Sequence, residues 1–414
     1  MNRRVVVTGL GGVTPLGTGV QKTWDALLKG VSGVRPIECL DAHAYPCRIA
    51  AEAWDFDPLD YMDRKEAKRM DRFAQFALAS AVMAVEDAHL PITDERRDRM
   101  GCLLGVGLGG LKTIERNYEA ILRLGPDRVS PFCIPMLAPN MAAGHVGMRF
   151  GIRGPNSCVA TACAAGSHAI GEAYRIIQHG EADVMLTGGA EAAITPLSLG
   201  GFCAMRALST RNDAPQQASR PFDKDRDGFV MGEGSGILVL EELEQARQRN
   251  ATIYAELIGY GMSADAYHMT QPDPESRGVM LCIQRALRDA GLTPRDIDYI
   301  NAHGTSTPYN DKAETLAVRS VFGEYAERIA MSSTKSMTGH LFGAAGGVEG
   351  VFTVLSIARD VMPPTINWET RDSDCDLDYV PNEARYVPVH TAMSNSFGFG
   401  GTNACIIFTK YREA

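Results

Sequence analysis

The sequence predicts an α/β fold made of two related halves. Apolar runs typical of buried strands alternate with helical segments along all 414 residues. This order favours mainly parallel sheets covered by helices. We predict an N-terminal half, residues 1–250, stacked on a C-terminal half, residues 251–414, around a central pair of buried helices.

Internal matches support the duplication. Residues of the first half reappear in the second in three pairs: 84–90 with 286–292, 164–166 with 344–346, and the Gly-x-Gly at 9–11 with that at 259–261. The offset falls from 202 residues in the first pair to 180 in the second, which places about 22 extra residues of the first half between Leu90 and Ala164.

Composition excludes several classes of protein. The chain is 45% hydrophobic and 22% charged, as expected for a globular protein with a core. Its net charge of −9 argues against nucleic acid as a partner. Glu349 interrupts the longest apolar tract, so no membrane span is predicted. Ten cysteines without paired spacing or a secretory signal indicate free thiols, no metal site and a cytoplasmic location.

The first strand is predicted at residues 4–8. Gly9 and Gly11 follow it, but Thr14 stands where a dinucleotide fingerprint needs its third glycine, so we interpret this segment as a tight turn. Further along, residues 64–72 carry a net charge of +3 and predict a basic helical face from Arg64, Lys68 and Arg72.

Cys163 lies at the centre of the predicted fold. A short strand at 156–160 precedes it, and an apolar helix at 164–179 follows and ends at Gly180. A thiol at a helix N-terminus is biased toward the reactive thiolate. Cysteine is also a common buried residue, so the local sequence leaves a nucleophile and a structural thiol equally open.

Residues 223–228 begin like a calcium loop, but the glutamate needed at position twelve falls one residue early, at Glu233. We interpret them as a charged turn before a strand at 236–240. His303 follows a predicted strand directly, where α/β folds place ligands, and His340 precedes the second central helix. We expect both histidines to face the Cys163 turn.

Four motifs carry a resemblance to a known family: Thr161-Ala162-Cys163, Asn301-Ala302-His303-Gly304-Thr305-Ser306-Thr307, Lys335-Ser336-Met337-Thr338-Gly339-His340 and Phe397-Gly398-Phe399-Gly400-Gly401-Thr402-Asn403. Together they resemble the β-ketoacyl-[acyl-carrier-protein] synthases, and within them the subgroup called synthase II. The resemblance implies a thiolase-like five-layer αβαβα fold, a homodimer, and an acyltransferase that condenses acyl- with malonyl-carrier protein in fatty acid elongation.

The resemblance also implies roles for individual residues. Cys163 would accept the acyl group, and His303 and His340 would stabilise the enolate formed by decarboxylation. Lys335 would pair with Glu349. The remaining implied roles are the oxyanion hole at Cys163 and Phe399, with Phe399 as gate; pantetheine binding by Thr305 and Thr307; an acyl pocket of Leu108, Ile134 and Phe202; and carrier-protein docking by Lys65, Lys68, Arg69 and Arg206. No cofactor is implied, and a structural monovalent cation near Asn301, Glu349 and Asn395 is left open.

Several alternatives remain at this point. Synthase I and polyketide-type condensing enzymes share these motifs and differ in acyl-chain specificity. A chain-length factor, a non-condensing subunit of the same fold, would lack Cys163. Thiolases use a second cysteine near the C-terminal end, where this chain has Phe397-Gly398-Phe399. Tyr309 and Asn310 replace the smaller residues common in relatives and leave the pocket entrance undefined.

Overall fold

The computed structural model describes residues 3–413. The strands are β1 (Val5–Thr14), β2 (Gly17–Thr18), β3 (Arg35–Pro36), β4 (Ile49–Ala50), β5 (Met100–Gly105), β6 (Asn156–Val159), β7 (Val184–Glu191) and β8 (Gly234–Glu242) in the first half, and β9 (Ala255–Ala264), β10 (Tyr299–Asn301), β11 (Ala330–Ser332), β12 (Val361–Met362), β13 (Arg385–Tyr386), β14 (Thr391–Gly398) and β15 (Thr402–Thr409) in the second.

The helices are α1 (Val20–Leu28), α2 (Arg64–Ala67), α3 (Arg72–Asp87), α4 (Asp94–Arg97), α5 (Leu111–Leu124), α6 (Cys133–Leu137), α7 (Met141–Phe150), α8 (Ala165–Gln178), α9 (Pro196–Ala204) and α10 (Leu243–Gln248) in the first half, and α11 (Arg277–Ala290), α12 (Pro308–Phe322), α13 (Lys335–Thr338) and α14 (Ala345–Arg359) in the second. None of them, within the part of the chain that is described, has the length and apolar character that crossing a membrane requires.

The ten longest strands form two five-stranded units of matching order. The first runs β6-β5-β7-β8-β1 and the second β11-β10-β14-β15-β9. In each unit, taken in this order, the first two pairings are parallel and the last two are antiparallel, so the sheets are mixed rather than mainly parallel as expected. A short antiparallel pairing of Val5–Val7 with residues 255–257 joins the units into one sheet path.

Helices complete five layers. α3 and α7 cover the outer face of the first unit, and α11 and α12 cover the outer face of the second. α8 and α14 lie between the two units and contact both, as predicted for the central pair. The predicted α/β class and its five-layer αβαβα arrangement are confirmed.

The two central helices meet through glycines. A Cβ at Gly166 of α8 would lie 2.6 Å from the amide nitrogen of Gly347, and one at Gly346 of α14 would overlap the backbone of Ser167. Since no side chain fits between them, the two helix N-termini come into backbone contact at the centre of the molecule. This contact brings the turns that precede both helices to one place.

The prediction of a tight turn at Gly9 and Gly11 is wrong, because β1 continues without interruption to Thr14. A Cβ at Gly11 would overlap the carbonyl oxygen of Ser80 on α3. The counterpart Gly261 in β9 has the same relation to Cys282 on α11. In both halves the glycines therefore allow a helix backbone to approach the strand closely.

The extra segment of the first half is confirmed. Between β5 and β6, 51 positions separate Gly105 from Asn156, whereas 29 separate Asn301 from Ala330 at the equivalent place, a difference of 22. In the first half this connection contains α5, α6 and α7, and in the second it contains α12.

Candidate active site

One cavity of about 380 Å³ brings most of the predicted site residues together. Its lining includes the thiol, both histidines, the two threonines, the expected gate, two of the three acyl-pocket residues and one docking residue: Cys163, His303, His340, Thr305, Thr307, Phe399, Leu108, Phe202 and Arg206. The expectation that both histidines face the Cys163 turn is met.

Cys163 lies in a 3-10 turn, Ala162–Ala164, between β6 and α8. Ala162 has φ +49°, a left-handed conformation that costs a non-glycine residue energy and must be held by its surroundings. Thr161 supplies two of the restraints: its hydroxyl bonds Nδ1 of His168 at 2.8 Å, and its carbonyl accepts from the Thr402 hydroxyl at 3.1 Å. The thiol is 8% exposed at the cavity wall.

The backbone N–H groups of Phe399 and Cys163 both lower the pKa of the Cys163 thiol. Phe399 follows β14 in a turn whose next residues, Gly400 and Gly401, both have positive φ. The ring is 37% exposed and lines the cavity. The turn therefore presents a donor to the sulfur while leaving its aromatic side chain at the boundary with solvent.

The thiol is not preset as a thiolate. Burial raises the pKa of Cys163 to about 12, although the charge of Lys335 and the N–H of Phe399 both lower it. The prediction that the helix N-terminus biases Cys163 toward the thiolate is wrong, because the effect of lost hydration on the thiol pKa is larger. The thiol of Cys163 is therefore protonated at neutral pH.

His303 and His340 face each other across the cavity wall. Their ring centroids are 5.5 Å apart at an angle of 85°, and each residue is 3% exposed. Desolvation, followed by the charge of Lys335, lowers the pKa of both imidazoles well below the usual value. Both are therefore neutral at physiological pH and can donate a hydrogen bond without carrying charge.

Lys335 joins this pair to the central helix. Its Nζ donates to the carbonyl oxygen of His303 at 2.6 Å and to Glu349 on α14. Both charged side chains are almost completely buried. Burial raises the pKa of Glu349 to about 7, against the lowering effect of Lys335. The predicted ion pair is present, and it fixes the backbone of a histidine rather than its ring.

The predicted acyl pocket is only partly assembled in this chain. Leu108 and Phe202 line the cavity. Ile134 lies on α6 outside it and is 71% exposed. At the mouth, the hydroxyls of Thr305 and Thr307 lie 2.9 Å apart, and the Tyr309 side chain, 66% exposed, borders the entrance.

Two phenylalanines were missed by sequence reasoning. Phe342 stacks on Phe202 at 5.1 Å, and Phe229 packs edge-on against His340 at 5.6 Å. Phe342 also has φ +48°, almost the value of Ala162. Its place in the duplicated turn, 180 residues after Ala162, was the signal that could have identified it.

Two buried carboxylates were also missed. Glu191, which ends the apolar strand β7, accepts from the N–H groups of Gly107, Leu108, Gly109 and Gly343. Glu314 accepts from the N–H groups of His303 and Gly304 at 2.9 and 2.8 Å. Burial raises the pKa of each to about 7. A lone acid ending an apolar strand was the available signal for Glu191.

The basic segment does not form the predicted helical face. The chain leaves the helix after α2, and α3 begins at Arg72, whose guanidinium pairs with Glu233 at 2.8 Å. Arg72 is therefore structural. Lys65, Lys68 and Arg69 remain exposed, and Arg206 is exposed at the cavity mouth.

Comparisons with known proteins agree with this site. The model "Beta-ketoacyl synthase, N-terminal domain" matches residues 2–246, and "Beta-ketoacyl synthase, C-terminal domain" matches residues 254–369. A curated 3-oxoacyl-[acyl-carrier-protein] synthase 2 from Synechocystis sp. is 56% identical over 410 residues, 99% of both chains. Another, from Coxiella burnetii, is 55% identical over 408 residues, again 99% of each.

A solved structure has the same fold. It is described as a type II PKS acyl-carrier protein in complex with its ketosynthase bound to the hexaketide. The match has a TM-score of 0.92 at 38% identity and covers 99% of this chain and 100% of the other.

Proposed function

The chain belongs to the β-ketoacyl synthase family, and we propose that it condenses acyl-carrier protein with malonyl-carrier protein to give 3-oxoacyl-carrier protein and CO2 in fatty acid elongation. One observation carries the proposal: a thiol and two neutral imidazoles line a single buried cavity. The thiol can hold an acyl group while the imidazoles act on a second substrate.

The first half-reaction transfers the acyl group to Cys163. The sulfur attacks the carbonyl carbon of the acyl thioester, the bond to the carrier's pantetheine sulfur breaks, and the thiol proton passes to that leaving sulfur. The N–H groups of Cys163 and Phe399, which both lower the pKa of the thiol, would stabilise the oxyanion of the tetrahedral intermediate. The product is an acyl-Cys163 thioester and a free carrier thiol.

The second half-reaction forms the carbon–carbon bond. The malonyl group loses CO2, and the electron pair of the broken bond forms an enolate that attacks the acyl-Cys163 carbonyl carbon. Cys163 leaves as a thiolate and takes a proton from water. His303 and His340, neutral and desolvated, are placed to donate hydrogen bonds to the thioester oxygen as it gains charge.

Carrier recognition would use the cavity mouth and the exposed basic residues. Thr305 and Thr307 offer a hydroxyl pair to the amides of a pantetheine arm. An acidic carrier protein would dock against Lys65, Lys68, Arg69 and Arg206, since these cations are exposed on a chain of net charge −9. This steering would weaken as salt concentration rises.

A homodimer would complete the acyl pocket. β6 ends the sheet path, and α5 exposes apolar side chains, among them Tyr118 at 61% and Leu122 at 68%. A second copy covering these surfaces would remove them from water. Ile134 can line an acyl pocket only if it enters from a neighbouring copy, so the predicted pocket and the predicted dimer are one hypothesis.

A structural monovalent cation fits the residues that the family resemblance named. Asn301 Oδ1, Glu349 Oε2 and Asn395 Oδ1 are buried and have no hydrogen-bond partner among residues 3–413. Amide and carboxylate oxygens are suitable ligands for a hard cation.

We also propose a cytoplasmic location, because all ten cysteines are free thiols.

A polyketide-type ketosynthase is the second candidate, since a ketosynthase of that class matches at 38% identity. The two curated relatives at 56% and 55% identity favour fatty acid elongation. A chain-length factor needs no nucleophile, and Cys163 lies at the cavity wall.

The test is incubation with malonyl-carrier protein and acyl-carrier proteins of graded chain length, followed by mass analysis. We expect 3-oxoacyl products two carbons longer than each accepted acyl chain. Absence of any such product would remove the proposal, and extension only of polyketide intermediates would favour the second candidate. In parallel, Lys65→Glu with Arg69→Glu should raise KM for carrier-borne substrates and spare small thioesters; equal effects on both would exclude docking there.

A further inference from the structure

We propose that Arg226 is the positioning residue of the pantetheine entrance: its guanidinium holds the backbone that carries Thr305 and Thr307. This inference rests on the proposed function, because it assigns a substrate contact to that entrance. Arg226 does not line the cavity, and it acts through the loop that does.

The contacts of Arg226 meet at the end of the entrance loop, residues 304–308. Nε donates to the carbonyl oxygen of Thr307 at 3.2 Å, and Nη2 donates to that of Pro308 at 3.3 Å. Nη1 donates to Asp372 at 2.6 Å and to the carbonyl oxygen of Asp223 at 2.7 Å. All three nitrogens are therefore occupied, two of them by the loop.

The entrance loop needs such support because its backbone is strained. Ser306 has φ +67° and is fully buried, and Gly304 has φ +36°. Positive φ at a non-glycine residue persists only when neighbouring contacts enforce it. The N–H of Gly228, two residues after Arg226, donates to the Ser306 carbonyl at 3.2 Å. Residues 226–228 therefore hold the loop at two places.

Two carboxylates restrain the buried guanidinium of Arg226. The Arg226 side chain is 4% exposed and lies 3.6 Å from Asp311, which is fully buried on α12. Asp372, half-buried, pairs with Nη1 at 2.6 Å. Two carboxylates thus balance and orient the guanidinium, and a charged group fixed in this way cannot turn from the loop without losing both partners.

The planar fork matters as well as the charge. A lysine ammonium could remain near Asp311 and Asp372, but it cannot reach two loop carbonyls and two further acceptors in one plane. Arg226→Lys therefore keeps the charge balance and removes the loop contacts.

Arg220 provides a matched control. It is 1% exposed, and its guanidinium pairs with Asp223 and Glu369, both at 3.0 Å. Among the described residues its side chain donates to no atom of the entrance loop; only its backbone N–H does, to the Ser306 hydroxyl at 2.9 Å. Arg220→Lys thus perturbs the same buried network and leaves the loop carbonyls alone.

The experiment compares wild type, Arg226→Lys and Arg220→Lys. It measures KM and kcat with malonyl- and acyl-carrier protein, thermal stability, and iodoacetamide alkylation of Cys163, which needs no pantetheine contact. For Arg226→Lys we expect KM to rise about tenfold with kcat within about threefold, because charge-assisted hydrogen bonds to the loop are lost. Alkylation should be unchanged. Arg220→Lys should lose as much thermal stability as Arg226→Lys, but its KM should not rise.

Unchanged KM in Arg226→Lys, or an equal rise in Arg220→Lys, would overturn the assignment. If Arg226→Lys does not fold, Asp372→Asn replaces it, and a KM rise of about threefold is expected because one of the two orienting carboxylates is gone; no rise would overturn it. A wild-type chain without condensing activity would remove the proposed function and this inference together. Normal wild-type turnover with an unchanged variant KM would remove the inference alone.

Discussion

The turn before α8 and the turn before α14 have nearly the same backbone and different chemistry. Each is a 3-10 turn, at Ala162–Ala164 and at Phe342–Ala344, and each opens with a residue near φ +48°. Each leads into a buried helix that begins with alanine, 180 residues apart. Position 163 carries a thiol, and its counterpart at position 343 carries no side chain.

Packing explains the difference. A Cβ at Gly343 would overlap the amide nitrogen of Gly107, and its own N–H is used by Glu191 at 3.2 Å. Cys163 instead has open cavity beside its sulfur. The duplicated backbone therefore provides two equivalent turns, and the space around each decides which can carry a reactive group. The second half contributes histidines and a buried lysine instead.

Removing the proposed nucleophile should give the largest effect, and it tests whether only the first turn carries a reactive group. Cys163→Ala should lower condensation by at least ~10³-fold, because no other thiol in the equivalent turn can hold the acyl group. The measurement is condensation rate together with mass detection of the acyl-enzyme. Cys39→Ala, which removes an exposed thiol outside the cavity, should retain activity. If the Cys163→Ala protein is still acylated, Cys163 is not the nucleophile.

Removal of either histidine tests the contribution of the second half. His303→Ala or His340→Ala should slow condensation by ~10²–10³-fold, since under the proposed function each removes a desolvated donor to the enolate oxygen. Acylation of Cys163 should be far less affected, because its donors are backbone N–H groups. Rapid-quench mass analysis separates the two steps. Exposed His43→Ala serves as the control, and equal losses in both steps would contradict separate roles for the halves.

The buried ion pair should be required for stability of the second half. Lys335→Met should lower the free energy of unfolding by ~3–5 kcal/mol, because it leaves Glu349 buried without its partner. Lys335→Met with Glu349→Gln should recover part of that loss in urea unfolding. The exposed pair of Lys312 and Asp374 is the control, and Lys312→Met should cost less than ~1 kcal/mol. A double variant as unstable as the single one would contradict this account.

A side chain in the second turn tests whether space alone separates the two positions. Gly343→Ala should destabilise the protein by ~1–3 kcal/mol through overpacking against Gly107. Gly201→Ala, in helix α9 with no atom within 4 Å of its Cβ, should be neutral or slightly stabilising. The measurement is thermal unfolding of both variants. If Gly343→Ala is as stable as wild type, lack of space does not explain the glycine at position 343.

The last test is the pH dependence of the thiol. Because burial raises the pKa of Cys163 to about 12, the thiolate fraction is small at neutral pH and increases with pH. Iodoacetamide alkylation of Cys163 should therefore rise about tenfold for each pH unit between about 7 and 10. A cysteine peptide is the control, since its rate should level off above about pH 9. A plateau for Cys163 near pH 8 would contradict the direction of the shift.

The duplication, the strand and helix order and the residues around Cys163, His303 and His340 could be predicted, because they depend on local pattern and on motifs that name a family. Features set by distant partners could not. Arg72 pairs with Glu233, 161 positions away, and the protonated state of the thiol depends on the burial of Cys163. The strand through Gly9 and Gly11 depends on how closely α3 approaches.

The shared lining of the cavity has a kinetic consequence. The hydroxyl pair of Thr305 and Thr307 lines the same cavity as Cys163. Under the proposed function both pantetheine arms would use this pair, so the first carrier would depart before the second arrives. Steady-state rates should follow a ping-pong pattern of parallel reciprocal lines, with malonyl-carrier protein competing against acyl-carrier protein for the unacylated enzyme.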